Sequence, residues 1–267
     1  MNISSKIVFE NITKIFKTRS QTITAVKDFS MSIEEGEFVS IIGPSGCGKS
    51  TIIRMLDGII KPTSGKIYIS GELISDRKKM PSDILRKMGF IFQQPNLLPW
   101  YTVRENVALP LKVFGLSGME WEKRVDELME MVGLAAYKNH YPVEISQGAE
   151  QMAGVIRAMV YDPEILLMDE PFGSLDDTSR EQMDMKLMDI WASTGKTIMF
   201  ITHSVEEALL LSSRIYVMAT NPGRLTDVVD INLERPRTLT MIDDPIFIDY
   251  EMRLTELIGE LDLSKIK

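Results

Sequence analysis

The strongest constraint on this chain lies in nine residues, Gly43-Pro44-Ser45-Gly46-Cys47-Gly48-Lys49-Ser50-Thr51. They follow Phe38 to Ile42, an almost wholly apolar run suited to a strand buried on both faces. They precede Ile52, Ile53, Leu56 and Ile59, which are spaced for a helix. Glycines allow successive backbone N–H groups to turn inward around an anion, and the helix start adds the positive end of its dipole. The spacing Gly43-x4-Gly48-Lys49-Ser50 is that of a phosphate loop, in the strand-to-helix setting such a loop needs. By chance it would arise in about one chain of this length in a hundred. Lys49 is thereby expected to reach the β- and γ-phosphates of a nucleotide, and the Ser50 hydroxyl to bind Mg²⁺.

A phosphate loop at a strand end predicts an α/β fold with a mainly parallel core sheet. The rest of the chain agrees. Strands are expected at Ile7 to Ile12, Ile23 to Ile33, Ile165 to Met168, Thr197 to Ile201, Ile215 to Met218 and Val228 to Ile231. Helices are expected near Ser179 to Ser193 and Val205 to Leu211. Between about Leu97 and Tyr161 the β-type runs vanish, and Val103 to Phe114, Met119 to Val132 and Glu150 to Met159 read as helices. This segment is expected to be a helical subdomain inserted into the core. The tail from Asp244 to Leu263 reads as one amphipathic helix.

A second chemical signal stands at the end of the strand Ile165 to Met168, where Asp169 and Glu170 follow in succession. Strand-end carboxylates in a parallel sheet lie at its ligand-binding edge. A lone Asp-Glu pair is more often a helix cap or a solvated turn, but the phosphate loop upstream favours chemistry. Asp169 is then expected to hold Mg²⁺ through water, and Glu170 to orient or deprotonate an attacking water.

Composition excludes several classes. With 30 Lys and Arg against 38 Asp and Glu, the net charge of −8 disfavours a protein that grips nucleic acid by neutralising phosphates. The apolar runs are far short of the roughly 18 residues needed to span a bilayer. The residues from Met1 to Phe16 carry Glu10 and lack the continuous apolar stretch of a secretory signal. The one cysteine, Cys47, admits no intrachain disulfide and points to a reducing compartment. Within the phosphate loop, its alkylation is expected to block nucleotide binding. The 18 Met read as core filler, and His140 as a surface residue.

Over about residues 5 to 235 the chain resembles the ATP-binding subunits of ABC transporters. That resemblance implies an N-terminal antiparallel β subdomain beside the phosphate-loop core and the helical insertion at about 97 to 161, with 236 to 267 a short helical tail. Gln93 in Phe92-Gln93-Gln94 matches the glutamine of the Q-loop, a ligand of Mg²⁺ and of the lytic water. Ile145-Ser146-Gln147-Gly148 lies where the signature stretch lies, so Ser146 and Gly148 are expected to close over ATP held by another subunit. Ser174-Leu175-Asp176 is similar to the D-loop, and His203 to the switch histidine. Phe16 occupies the place of the aromatic ring that stacks on adenine. The resemblance makes Glu170, His203 and Gln93 the catalytic candidates. ATP is the expected cofactor with Mg²⁺, bound by residues 43 to 51, Phe16, Gln93, Ser146, Gly148 and Asp176.

The chain departs from the family pattern at Gln147, where a glycine is usual, and at Ala149, Glu150 and Met152. The expected consequence is slower turnover on an unchanged fold. The resemblance further implies a partner ATPase subunit, in the simplest case an identical copy, and separate transmembrane permease subunits. An extracytoplasmic solute-binding protein would act indirectly, with the ATPase on the cytoplasmic face of the membrane. Pro222-Gly223-Arg224, Arg235-Pro236-Arg237 and the short tail are similar to the nitrate, sulfonate and taurine importer branch. Pro95 to Trp100 is expected to form an apolar lip for a permease helix. An exporter or lipid-transport ATPase, a soluble ABC ATPase acting on nucleic acid or ribosomes, and a regulatory ATP-binding subunit remain the alternatives.

Overall fold

A computed structural model describes residues 5–18, 20–77 and 79–263, with the side chains of 260, 262 and 263 outside the description. The described residues divide into two compact units: those up to Leu85 together with those from Gly195 onward, and the stretch Arg86–Thr194.

The first unit opens with β1 (Ser5–Lys17), β2 (Thr22–Glu34), β3 (Phe38–Ile42), α1 (Lys49–Leu56), β4 (Ser64–Ile69), β5 (Glu72–Leu73) and α2 (Ser82–Arg86), which ends at the boundary. The second holds β6 (Met88–Ile91), α3 (Val103–Phe114), α4 (Met119–Met131), α5 (Gln147–Met159), β7 (Ile165–Asp169) and α6 (Asp177–Thr194). The chain then returns to the first unit with β8 (Thr197–Ile201), α7 (Val205–Leu211), β9 (Arg214–Ala219), β10 (Arg224–Asp230) and α8 (Pro245–Leu263).

In the first unit, an antiparallel sheet has the order β2-β1-β4-β5. Its alternating residues Ile7, Phe9, Ile67 and Ile69 are buried, the mark of a sheet with one face inward. A second run of strands, β10-β9-β3-β8, is parallel except for the antiparallel β9–β10 hairpin. Every residue of β3 and β8 is buried, as their continuous apolar sequences require of strands covered on both faces. In the second unit β6 and β7 pair in parallel, and α3, α4 and α5 pack around Val107, Leu111, Val125, Leu128 and Ile156.

Three strands are absent from the sequence reading, β4, β5 and β6, the second of only two residues. Lys66 and the half-buried Tyr68 blur the pattern of β4, and β6 has only four residues. The helix α5 starts at Gln147, three residues before the expected Glu150, and β10 runs from Arg224 rather than Val228. In both cases polar residues belong to the element because a cap or a hairpin partner holds them.

The tail packs within the first unit. Phe247 and Leu254 of α8 are fully buried in a cluster with Leu209, Val217 and Val229. Arg237, 2% exposed, donates through Nη1 to the carbonyls of Leu210 and Ser212 at 3.3 and 2.6 Å. It thus closes the C-terminal end of α7, where carbonyl groups otherwise go unmet. Burial, with Arg235 adding repulsion, pushes this guanidinium down to about 10.

Candidate ATP site and signature turn

The parallel register puts the phosphate loop and His203 at one sheet edge. Ile41 pairs with Ile201, so Gly43 and His203 both leave the carboxyl ends of adjacent strands, and Thr202 N donates to Ile41 O at 3.4 Å. The loop is held from within: Lys49, 7% exposed, donates through Nζ to Gly43 O at 2.7 Å, and Cys47 N donates to Pro44 O at 3.2 Å. The helix α1 begins at Gly48, whose φ of 101° suits glycine, and no side chain caps it. A Cβ at Gly48 would lie 2.8 Å from Val26 Cγ2, so the loop is seated against β2. An uncapped helix start beside inward-turning amides is built to receive anion oxygens as its caps. Ser50 and Thr51 occupy its first turn, half buried.

Sequence reasoning missed one supporting residue of this loop. Gly223, in the turn between β9 and β10, bridges to Val26, accepts from Lys27 N at 2.7 Å and donates to Ala25 O at 3.2 Å. A Cβ there would sit 2.0 Å from Cys47 O and 2.5 Å from Ala25 O, distances that no side chain tolerates. Pro222-Gly223 reads in sequence as a hairpin turn or a mark of the importer branch; only the fold shows it pressed against the phosphate loop. The fold also settles the environment of Cys47. Its thiol is fully buried, so the residue faces the loop's interior and alkylation of the native protein is correspondingly hindered.

His203 is exposed, but its neighbours are fixed. Thr202 Oγ1 donates to the buried Glu207 carboxylate and accepts from Ser204 N at 2.9 Å, while Ser204 Oγ caps α7 by accepting from Glu207 N at 3.1 Å. Phe16, 37% exposed, lies at the open end of the β1–β2 ribbon opposite Ile23, with Lys14 Nζ 4.9 Å from its ring centroid. A ring presented in this way offers a face to a planar base.

The second unit repeats the edge geometry. Ile91 pairs with Met168, so Gln93 and the Asp169–Glu170 pair follow the carboxyl ends of neighbouring strands. Glu170 has φ 49°, a left-handed backbone uncommon outside glycine, and Gly173 N closes the turn onto its carbonyl at 3.2 Å. Gln93 is exposed while its carbonyl accepts from Gln151 Nε2 at 2.8 Å. The following Pro95 and Asn96 carbonyls accept from Arg157 on α5, and Trp100 is 67% exposed.

Ser146 caps α5 by accepting from Ala149 N at 3.3 Å, and Gly148 lies in its first turn, where a Cβ would stand 3.7 Å from Met183 Cε. Ser146, Gln147, Gly148, Leu175 and Asp176 line a recess of about 430 Å³ within this unit. Asp176 accepts from Ser179 N at 3.0 Å at the start of α6; the Ser179 hydroxyl and amide hold its carboxyl below the usual range. Burial pushes the Glu150 carboxyl up.

Among the described residues no group of three or more His, Cys, Asp or Glu could hold a metal. Mg²⁺ does not require such a cluster, because it takes few protein ligands and completes its octahedron with phosphate oxygens and water. No described helix is long and apolar enough to cross a membrane.

Comparison with known proteins agrees with this architecture. A model of the ABC transporter family matches residues 26–173, from β2 through the Asp169–Glu170 turn. The chain is 38% identical over 234 residues to an aliphatic sulfonates import ATP-binding protein of Bacillus cereus, covering 88% of this chain and 89% of the relative. It is 40% identical over 222 residues to a taurine import ATP-binding protein of Pelagibacter ubique, covering 83% and 81%. A solved dimeric ATP-binding cassette, in a post-hydrolysis state with ADP and phosphate, superposes with a TM-score of 0.73 at 34% identity. That match covers 85% of this chain and all of the other. By this likeness over most of its length, this chain is a member of the ABC transporter family, an ATP-binding and ATP-hydrolysing subunit.

Proposed function

We propose that this subunit drives import of a small anion, a sulfonate such as taurine or a related ion such as nitrate, through separate permease subunits at the cytoplasmic face of the membrane. The observation that carries this reading is the likeness, at 38 and 40% identity over most of the chain, to import ATP-binding proteins for sulfonates and taurine. The exposed Trp100, on the segment that Arg157 clamps to α5, supports a permease-facing lip.

In this reading the backbone of residues 43 to 51 cradles the ATP phosphates, Lys49 neutralises them and Phe16 stacks on adenine. Mg²⁺, held by Ser50, Gln93 and water on Asp169, would neutralise charge developing on the phosphates. Glu170 orients and deprotonates the attacking water, and His203 donates to the terminal phosphate. Ser146 and Gly148 meet the nucleotide of a second ATPase subunit, with Asp176 at the same face. ATP thereby joins two subunits and its hydrolysis releases them, which moves the docked permease.

The test is uptake in cells or proteoliposomes carrying this chain, its permease and its solute-binding protein. Labelled taurine, alkanesulfonate and nitrate are each expected to be scored against Glu170→Gln, which should keep ATP binding and lose at least about a hundredfold in turnover. Uptake of none of the three, or uptake unchanged in Glu170→Gln, would overturn the reading.

A further inference from the structure

Gln147 is the point at which this signature turn departs from the family pattern, and its side chain makes contacts a glycine cannot make. Its Nε2 donates to Ser174 Oγ at 3.0 Å and to Ser174 O at 3.3 Å. One helical turn later, on the same face of α5, Gln151 Nε2 donates to Ser174 Oγ at 3.4 Å and to Gln93 O at 2.8 Å. Gln151 is 1% exposed, and its Oε1 accepts from no donor among the described residues. A buried amide that leaves its acceptor unused is oriented by its donors. Its two acceptors, the Gln93 carbonyl and the Ser174 hydroxyl, therefore set the geometry. Ser174 itself is exposed and stands two residues before Asp176, which starts α6 through Ser179 N.

We infer that Gln147 is a positioning residue, which ties the Ser174–Asp176 turn to the start of α5 through Ser174. Without this side chain, only the longer Gln151 contact at 3.4 Å would join Ser174 to α5. Here the signature turn, the Ser174–Asp176 turn and the Gln93 loop form one hydrogen-bonded group within a single subunit. The consequence for the reaction falls on turnover: nucleotide binding at the phosphate loop does not involve these contacts, whereas the proposed pairing needs Ser146 and Asp176 in fixed relation. This consequence rests on the pairing reading given above; the link itself does not.

Gln147→Ala and Ser174→Ala in the full chain are each expected to lower kcat about fivefold, the weight of one net hydrogen bond, with KM for ATP unchanged. The double variant should lose less than the product of the two single losses, because both remove the Gln147 Nε2–Ser174 Oγ bond. Gln147→Glu, equal in size but with an acceptor facing Ser174 O, should lose at least as much as Gln147→Ala. Amide hydrogen exchange of the separated subunit supplies a readout independent of turnover, and residues 173 to 178 should exchange faster in Gln147→Ala. Unchanged exchange there, or kcat losses that multiply in the double variant, would overturn the inference. Absence of ATP-dependent dimers in Glu170→Gln, read by light scattering, would instead remove the pairing reading while the exchange result still decides the link.

Discussion

Two helix starts carry the candidate chemistry, and they are made in different ways. At α1 the backbone does the shaping: Gly48 takes a conformation suited to glycine, no side chain caps the helix, and the loop is wedged between Val26 and Gly223. At α5 the side chains do it, with Ser146 Oγ already on Ala149 N and Gln147 reaching across to Ser174. An uncapped start braced by backbone is ready for a ligand that stays, since phosphate oxygens complete it. A start already capped by its own serine suits a contact made and broken in each cycle, because solvent-exposed side-chain bonds of about 1 kcal/mol are easily exchanged.

Substitutions can break this contrast. The largest effect is expected at Lys49, whose removal takes charge-assisted bonds from the phosphates: Lys49→Ala should weaken ATP binding by about 3 kcal/mol, roughly a hundredfold, as measured with a fluorescent nucleotide. Gly223→Ala comes next. Its methyl must displace Cys47 O, so ATP affinity should fall about tenfold and thermal stability by about 1–3 kcal/mol, although residue 223 need touch no nucleotide. Binding as tight as wild type would show that the loop is not braced from behind. The smallest effect sharpens the comparison from the other side. Ser146→Ala and Thr102→Ala each remove an N-cap and should each cost about 1 kcal/mol by denaturant unfolding. Only Ser146→Ala should also lower turnover; equal turnover in the two variants would reduce Ser146 to a cap.

Much of this was legible in advance because it is written in short-range pattern. The glycine spacing from Gly43 to Gly48, the apolar strand before it and the acid pair after Ile165 to Met168 each encode local geometry. The strands β4, β5 and β6 were not legible: Lys66 and Tyr68 blur the pattern of the first, the other two are short, and neighbouring strands rather than their own composition hold them. The support of the site was equally hidden. Nothing in Pro222-Gly223 distinguishes a hairpin turn from a brace, and nothing in Arg237 announces a buried cap for α7. The burial of Cys47 was hidden too, because a loop's sequence does not say which side chain turns inward.

By itself the sequence determined that this chain builds a phosphate loop between a buried strand and a helix, with two carboxylates at another strand end, since backbone sterics and hydrophobic periodicity act over a few residues. Only the tertiary structure decided which distant residues stand behind those groups. Gly223 lies against Cys47, Glu207 beside His203 through Thr202, and Ser174 under Gln147. Close approach and hydrogen bonding between segments far apart in the chain depend on how the strands are registered, and no local pattern carries that register.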